Sequence, residues 1–184
     1  MNTSTKRLLA ESIRGFHLPR YHELPNMGLY LEQTVKYLNQ CLDPLGFQDV
    51  TASMVSNYVK KGLIPKPEKK QYYAAHIAYL LFVAFAKNLL SMENIALFIR
   101  IQQRSYTVSA AYDYWCSEME NVLFSFYGQN SPMPGQSEDE PVEKELLRNF
   151  VWALAHTIQA NLLLSQLRPD YAQGTPPATA KEKP

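Results

Sequence analysis

The sequence predicts an all-α protein that carries one small hairpin. Three observations predict it. Apolar residues recur at three- and four-residue steps in successive segments between Leu29 and Leu162, the spacing of a buried helix stripe. Between Thr51 and Tyr73 a short helical pattern meets Gly62, Pro65 and Pro67 and gives way to a polar, mostly cationic turn, because glycine ends a helix cheaply and proline prevents it from resuming. A hydrophobic share of 46% with 12% aromatic residues is that of a globular chain.

The elements follow in order. Residues 1–15 carry Leu8, Leu9 and Ile13, enough for a short amphipathic helix or a frayed arm. Leu18-Pro19-Arg20-Tyr21-His22-Glu23-Leu24-Pro25 is bounded by prolines and reads as an extended, packed lead-in. Leu31, Val35, Leu38 and Leu42 define a first helix over 29–42, ended by Pro44 and Gly46. Thr51 or Ser53 caps the next helix, whose inner stripe is Met54, Val55, Tyr58 and Val59, since a hydroxyl there accepts from an orphan backbone N–H. Residues 74–90 are apolar nearly all round, as in a helix at the middle of a core. Ser91 caps a further helix with Glu93 in its first turn and a stripe of Ile95, Phe98, Ile99 and Ile101. Val108, Tyr112, Trp115, Met119, Val122 and Phe126 follow alternating four- and three-residue steps, a heptad-like seam that suits a helix pair within or between subunits. Residues 128–141 read as a polar loop. Leu147, Phe150, Val151, Leu154, Ile158 and Leu162 define a last helix stopped by Pro169, before a tail expected to be disordered. The expected organisation is an arm over 1–28, a first unit over 29–104, a helical region over 105–168, and a tail over 169–184.

With 184 residues the chain has room for one domain, or a small domain and an appendage. A formal charge of +1 gives no global attraction to nucleic acid, so affinity of that kind has to come from a patch. Such a patch exists: Lys60, Lys61, Lys66, Lys69 and Lys70 crowd one window in which Glu68 is the only acid. Cys41 and Cys116 are far apart and read as free thiols in a reducing compartment. The first residues lack the apolar run of a signal peptide. The longest apolar run, Ile77 to Ala86, is too short to span a bilayer. A cytoplasmic protein without membrane contact is expected.

A short helix followed by a basic wing is what a winged helix-turn-helix presents to DNA, the helix in the major groove and the wing on the backbone. Short polar side chains on the outer face, here Ser53, Ser56 and Asn57, are suited to base edges, and lysines to phosphates. The plainer reading is a capped surface helix with a solvated lysine loop. The string V-S-N-Y-V-K-K-G-L-I-P-K-P, then K-K-Q-Y, an apolar helix and S-M-E-N-I resembles the DNA-binding half of MerR-type regulators, from Thr51 to about Ile99. With L-P-R-Y-H-E-L-P ahead of it, the chain resembles more closely a bacterial family catalogued as a domain of unknown function, family 1836. The resemblance implies a recognition helix, a wing bearing an aromatic residue, and two further helices. Two features depart from the MerR pattern. The tight turn before the recognition helix is replaced by the longer Asp43–Val50 segment, and the second, arginine-rich part of the wing is missing.

The DNA-contacting set that follows is Ser53, Ser56, Asn57, Lys60, Lys61, Lys66, Lys69, Lys70 and Tyr72. The seam Val108, Tyr112, Trp115, Met119, Val122 and Phe126 is the candidate interface of a homodimer, the usual state of helix-turn-helix proteins. Catalytic motifs are absent: no G-x-S-x-G, P-loop or G-x-G-x-x-G occurs. His17, His22, His76 and His156 form no ligand spacing with one another or with cysteine. No cofactor, metal or enzymatic activity is therefore expected. The aromatic residues between Tyr106 and Trp152 raise a pocket for an effector, against the simpler reading of a helical core at ordinary aromatic density. Two functions stand side by side: a transcriptional regulator that binds double-stranded DNA, and a helical protein-interaction module that keeps the fold without DNA.

Overall fold

The computed structural model describes residues 15–47, 49–126 and 141–171. The expected helix through Leu8, Leu9 and Ile13, the polar loop over 128–140 and the tail beyond 171 lie outside the described residues. The protein is mostly helical. A 3-10 turn over Tyr21–Glu23 comes first, then strand β1 (Leu29–Tyr30), α1 (Leu31–Leu42), a 3-10 turn (Asp43–Leu45) and α2 (Ala52–Lys60). Strand β2 (Gln71–Tyr72) follows, then α3 (Ala74–Ala86), α4 (Met92–Ser105), α5 (Val108–Ser125) and α6 (Val142–Tyr171).

The two strands pair antiparallel, Leu29 opposite Tyr72 and Tyr30 opposite Gln71. They tie the chain before α1 to the chain after α2, so that α1, α2 and the intervening turn form a closed loop of structure. Gly28 permits the approach: a Cβ there would sit 2.7 Å from the Gln71 Cβ and 2.9 Å from the Tyr73 ring, closer than packed carbons tolerate.

Helix α3 is the axis of the core. Its Ile77, Leu80, Leu81, Val83 and Phe85 are fully buried, as its all-round apolar sequence requires. It ends at Ala86, four residues before the expected Leu90, and Lys87–Leu90 turn toward Ser91, whose Oγ accepts from the Asn94 N–H at 3.2 Å and starts α4. Phe82 of α3 meets the rings of Phe98 (α4), Trp115 (α5) and Phe150 (α6) at centroid distances of 5.2, 5.7 and 5.4 Å. These are ordinary edge and tilted aromatic geometries, and they join all four C-terminal helices in one place. One hydrophobic cluster runs from Phe16 to Ile158, so both halves of the chain share a core.

The heptad-like seam faces inward. Tyr112, Trp115, Met119 and Val122 are buried, Val108 and Phe126 half-buried, all of them packed in the chain's own core. The six residues proposed for a dimer interface thus pack within the one chain. Period 3.5 states that a helix has a partner, not whose it is, and here the partners are α3 and α6. Helix α6 is also longer than expected, 30 residues running through Pro169 to Tyr171. Proline so close to a helix end forfeits only a bond of the last turn.

Candidate functional site

The segment from Thr51 to Tyr73 builds one compact substructure. The Thr51 Oγ accepts from the Met54 N–H at 3.3 Å and starts α2. Val55 and Tyr58 are buried, Met54 and Val59 partly so. The opposite face carries Ser53, Ser56, Asn57 and Lys60, all exposed. The Ser56 hydroxyl donates to the Ala52 carbonyl at 2.9 Å, whereas the Asn57 amide makes no hydrogen bond to the described residues. At the far end Gly62 adopts φ +70. The Leu63 N–H donates to the Tyr58 carbonyl and the Gly62 N–H to the Val59 carbonyl, each at 3.0 Å. That pair of bonds is a Schellman motif, which satisfies the last carbonyls and turns the chain sharply.

The chain then forms a hairpin. Glu68 and Gln71 exchange both backbone hydrogen bonds, at 3.0 and 2.8 Å, around the two-residue tip Lys69-Lys70. Both tip residues have positive φ, 48 and 67, as a type I′ turn demands. Asn-Gly is the favoured pair there. A lysine in the left-handed region costs about 1 kcal/mol or more, so the tip holds two cations at some expense in stability. Lys61, Lys66, Lys69 and Lys70 are exposed. Among the described residues none of these lysines, nor Lys60, makes an ion pair.

Tyr72 sits differently from the lysines around it. It is 4% exposed and belongs to the core, where its ring lies 5.8 Å from that of His76. Alternation along a strand sends successive side chains to opposite faces, and Gln71 takes the outer one. Tyr72 therefore supports the hairpin from inside.

Three anchors were not legible as functional residues. His76, 5% exposed, accepts from the Tyr73 N–H through Nδ1 at 3.1 Å, while its Nε2 meets the Lys66 carbonyl at 3.1 Å. That arrangement fixes the Nε2-protonated tautomer and pins the base of the hairpin to the start of α3. Asn39 on α1 accepts from the Val50 N–H at 2.8 Å and donates to its carbonyl at 3.0 Å. It thereby anchors the end of the long Asp43–Val50 turn just before α2. The third anchor lies on α5. Glu120 accepts from both guanidinium nitrogens of Arg20, at 2.9 and 2.5 Å, and from the Leu18 N–H at 2.7 Å. Its hydrogen bond is the main influence that raises the Arg20 guanidinium above its ordinary value. The Asp113 carboxylate accepts from the Tyr21 N–H at 2.6 Å, and the Tyr112 hydroxyl donates to the Pro19 carbonyl at 2.9 Å. The L-P-R-Y-H-E-L-P segment is thus strapped to α5.

Other chemistry is not assembled among the described residues. No group of three or more His, Cys, Asp or Glu is gathered to hold a metal. Burial pushes the Cys116 thiol up to about 12 and the Cys41 thiol up to about 11, away from the thiolate that a ligand or nucleophile needs. No helix is long and apolar enough to cross a membrane.

No curated protein matches the sequence, and no solved structure matches it. A family model described as a domain of unknown function, DUF1836, matches residues 19–115, more than half of the chain. The match runs from the proline of the Arg20 strap through α1, α2 and the hairpin to Trp115 at the centre of the aromatic core. The chain belongs to the DUF1836 family.

Proposed function

We propose that this protein is a DNA-binding transcriptional regulator with a MerR-like winged helix-turn-helix. In this reading α1 and α2 are the helix-turn-helix, α2 lies in the major groove, and the hairpin is the wing. The single observation that carries it is the Lys69-Lys70 tip. Two cations, which make no ion pair among the described residues, are held at a two-residue turn whose backbone disfavours lysine. Local strain kept in a small exposed turn is expected where the side chains it displays have a use. The exposed row Ser53, Asn57 and Lys60 on α2 adds groups of the right chemistry for base edges and phosphate. Asn57, whose amide makes no hydrogen bond to the described residues, is the base-reading candidate, since an amide matches the donor and acceptor of adenine.

The test makes stability and binding move in opposite directions. Lys69→Asn combined with Lys70→Gly places the favoured pair in the turn, and is expected to raise stability by about 1 kcal/mol. The same double change removes two phosphate contacts, so duplex affinity falls and the log–log salt slope becomes shallower by about two. Sequence preference survives, because backbone contacts position without reading bases. A double variant that is more stable and binds duplex as tightly as the wild type contradicts the wing assignment.

A further inference from the structure

A cleft opens where α3, α4, α5 and α6 meet. Its inner chamber, about 60 Å³, is lined by Phe82, Phe98, Tyr112 and Trp115. An adjoining outer chamber, about 180 Å³, is bounded by Ala110, Tyr114 and Lys144. Gln102, Tyr106, Ala111 and Leu147 line both. Protein interiors rarely leave space beside several large rings, because the lining atoms lose dispersion partners.

Two polar features mark the walls. Trp115 is 1% exposed and its indole N–H has no acceptor within the described protein; an orphaned buried donor calls for an explanation. Lys144 stands at the outer chamber with its Nζ 5.7 Å from the centroid of the Tyr114 ring. It makes no ion pair within the described residues. Glu143 accepts from the Ser105 hydroxyl at 3.2 Å. Glu118 is nearly buried, burial raises its carboxyl above the ordinary range, and Arg148 acts on it more strongly than Lys144 does.

We propose that this cleft binds a small aromatic carboxylate, its single ring against the aromatic inner walls and its carboxylate at Lys144. An apolar interior with a few placed polar groups is the usual make-up of a ligand site. Both chambers fall below the roughly 300 Å³ at which drug-sized pockets begin, which restricts the ligand to one ring and a short tail. Charge complementarity selects the acid over a neutral or cationic head. None of the lining residues belongs to α2 or the hairpin, so the site stands or falls independently of the DNA reading.

The probe is 3-phenylpropionate, titrated into the full chain by calorimetry and by tryptophan fluorescence, with 3-phenylpropionamide as its neutral counterpart. Saturable binding of the acid is expected with a Kd of about 1 mM or tighter, from the contribution per heavy atom of small ligands. The amide binds several-fold more weakly. Lys144→Gln, at a half-buried position, abolishes the preference for acid over amide. Ala111→Met fills the boundary of the two chambers and abolishes binding of both. Absence of saturable binding by the acid up to about 20 mM overturns the proposal. So does an acid-to-amide ratio that Lys144→Gln leaves unchanged. Should Ala111→Met fail to fold, the Lys144→Gln ratio decides alone.

Discussion

Trp115→Asp abolishes the folded state rather than splitting a dimer. Trp115 is 1% exposed and touches the rings of Phe82, Phe85 and Tyr112 at centroid distances of 5.7, 5.1 and 5.6 Å. Removing a buried tryptophan costs about 3–5 kcal/mol in lost burial and residual cavity. Placing a carboxylate in the same space adds a desolvation penalty of several kcal/mol. The sum consumes most of the roughly 5–15 kcal/mol that stabilises a domain. Circular dichroism should show lost helix at room temperature, and sedimentation an expanded or aggregated species. Trp115→Phe keeps an aromatic body and should fold. A well-folded monomeric Trp115→Asp beside a dimeric wild type would return the seam to an intermolecular role.

The second large effect is at Glu120. Glu120→Ala deletes a carboxylate that receives Arg20 twice and the Leu18 N–H once. It leaves the Leu18 N–H without its acceptor and the Arg20 guanidinium with only the Leu18 carbonyl, at 2.8 Å, to receive it. Breaking a buried pair by removing one partner costs about 3–5 kcal/mol. The Arg20 side chain is 22% exposed and the Glu120 side chain 11%, so water recovers part of this and the lower end, about 3 kcal/mol, is expected. For a chain of this size that corresponds to a fall in Tm of roughly 6–12 °C. Amide exchange should rise first in the strap around Leu18 to Leu24, because local opening follows the weakest tether. A Glu120→Ala protein with unchanged Tm would show that the strap is held by its apolar residues alone.

These two sites also show where sequence reasoning ends. Local signals carried well. The Thr51 and Ser91 caps, the left-handed Gly62 and the all-round apolar α3 were legible because each depends on neighbours within a few residues. Of the proposed DNA-contacting set, the outward placement of Ser53, Ser56, Asn57 and Lys60 followed from helical period alone. What is not legible is long-range or too short to carry a period. Glu120 lies 102 residues from Leu18 and 100 from Arg20, and nothing in the spacing of α5 announces that strap. The spacing of α5 identifies a packed stripe but not its partner, since a heptad pattern is identical for an internal and an external neighbour. In β2, two residues long, alternation has no room to show, so the burial of Tyr72 is not legible in the sequence. The hairpin tip hid for a different reason: propensity expects Asn-Gly where Lys69-Lys70 stands, so the strongest local clue to the candidate site is visible only in the backbone angles.

The measurement that reaches the central claim most directly is a titration of the wild-type protein against mixed-sequence duplex DNA at low ionic strength, repeated as salt is raised. If Lys66, Lys69 and Lys70 each neutralise one phosphate, binding is expected in or below the range of about 1–100 μM. Its log–log salt slope should lie near −3, about 0.9 per released counterion. A flat titration at roughly 50 mM salt with protein well above that range would contradict the DNA reading.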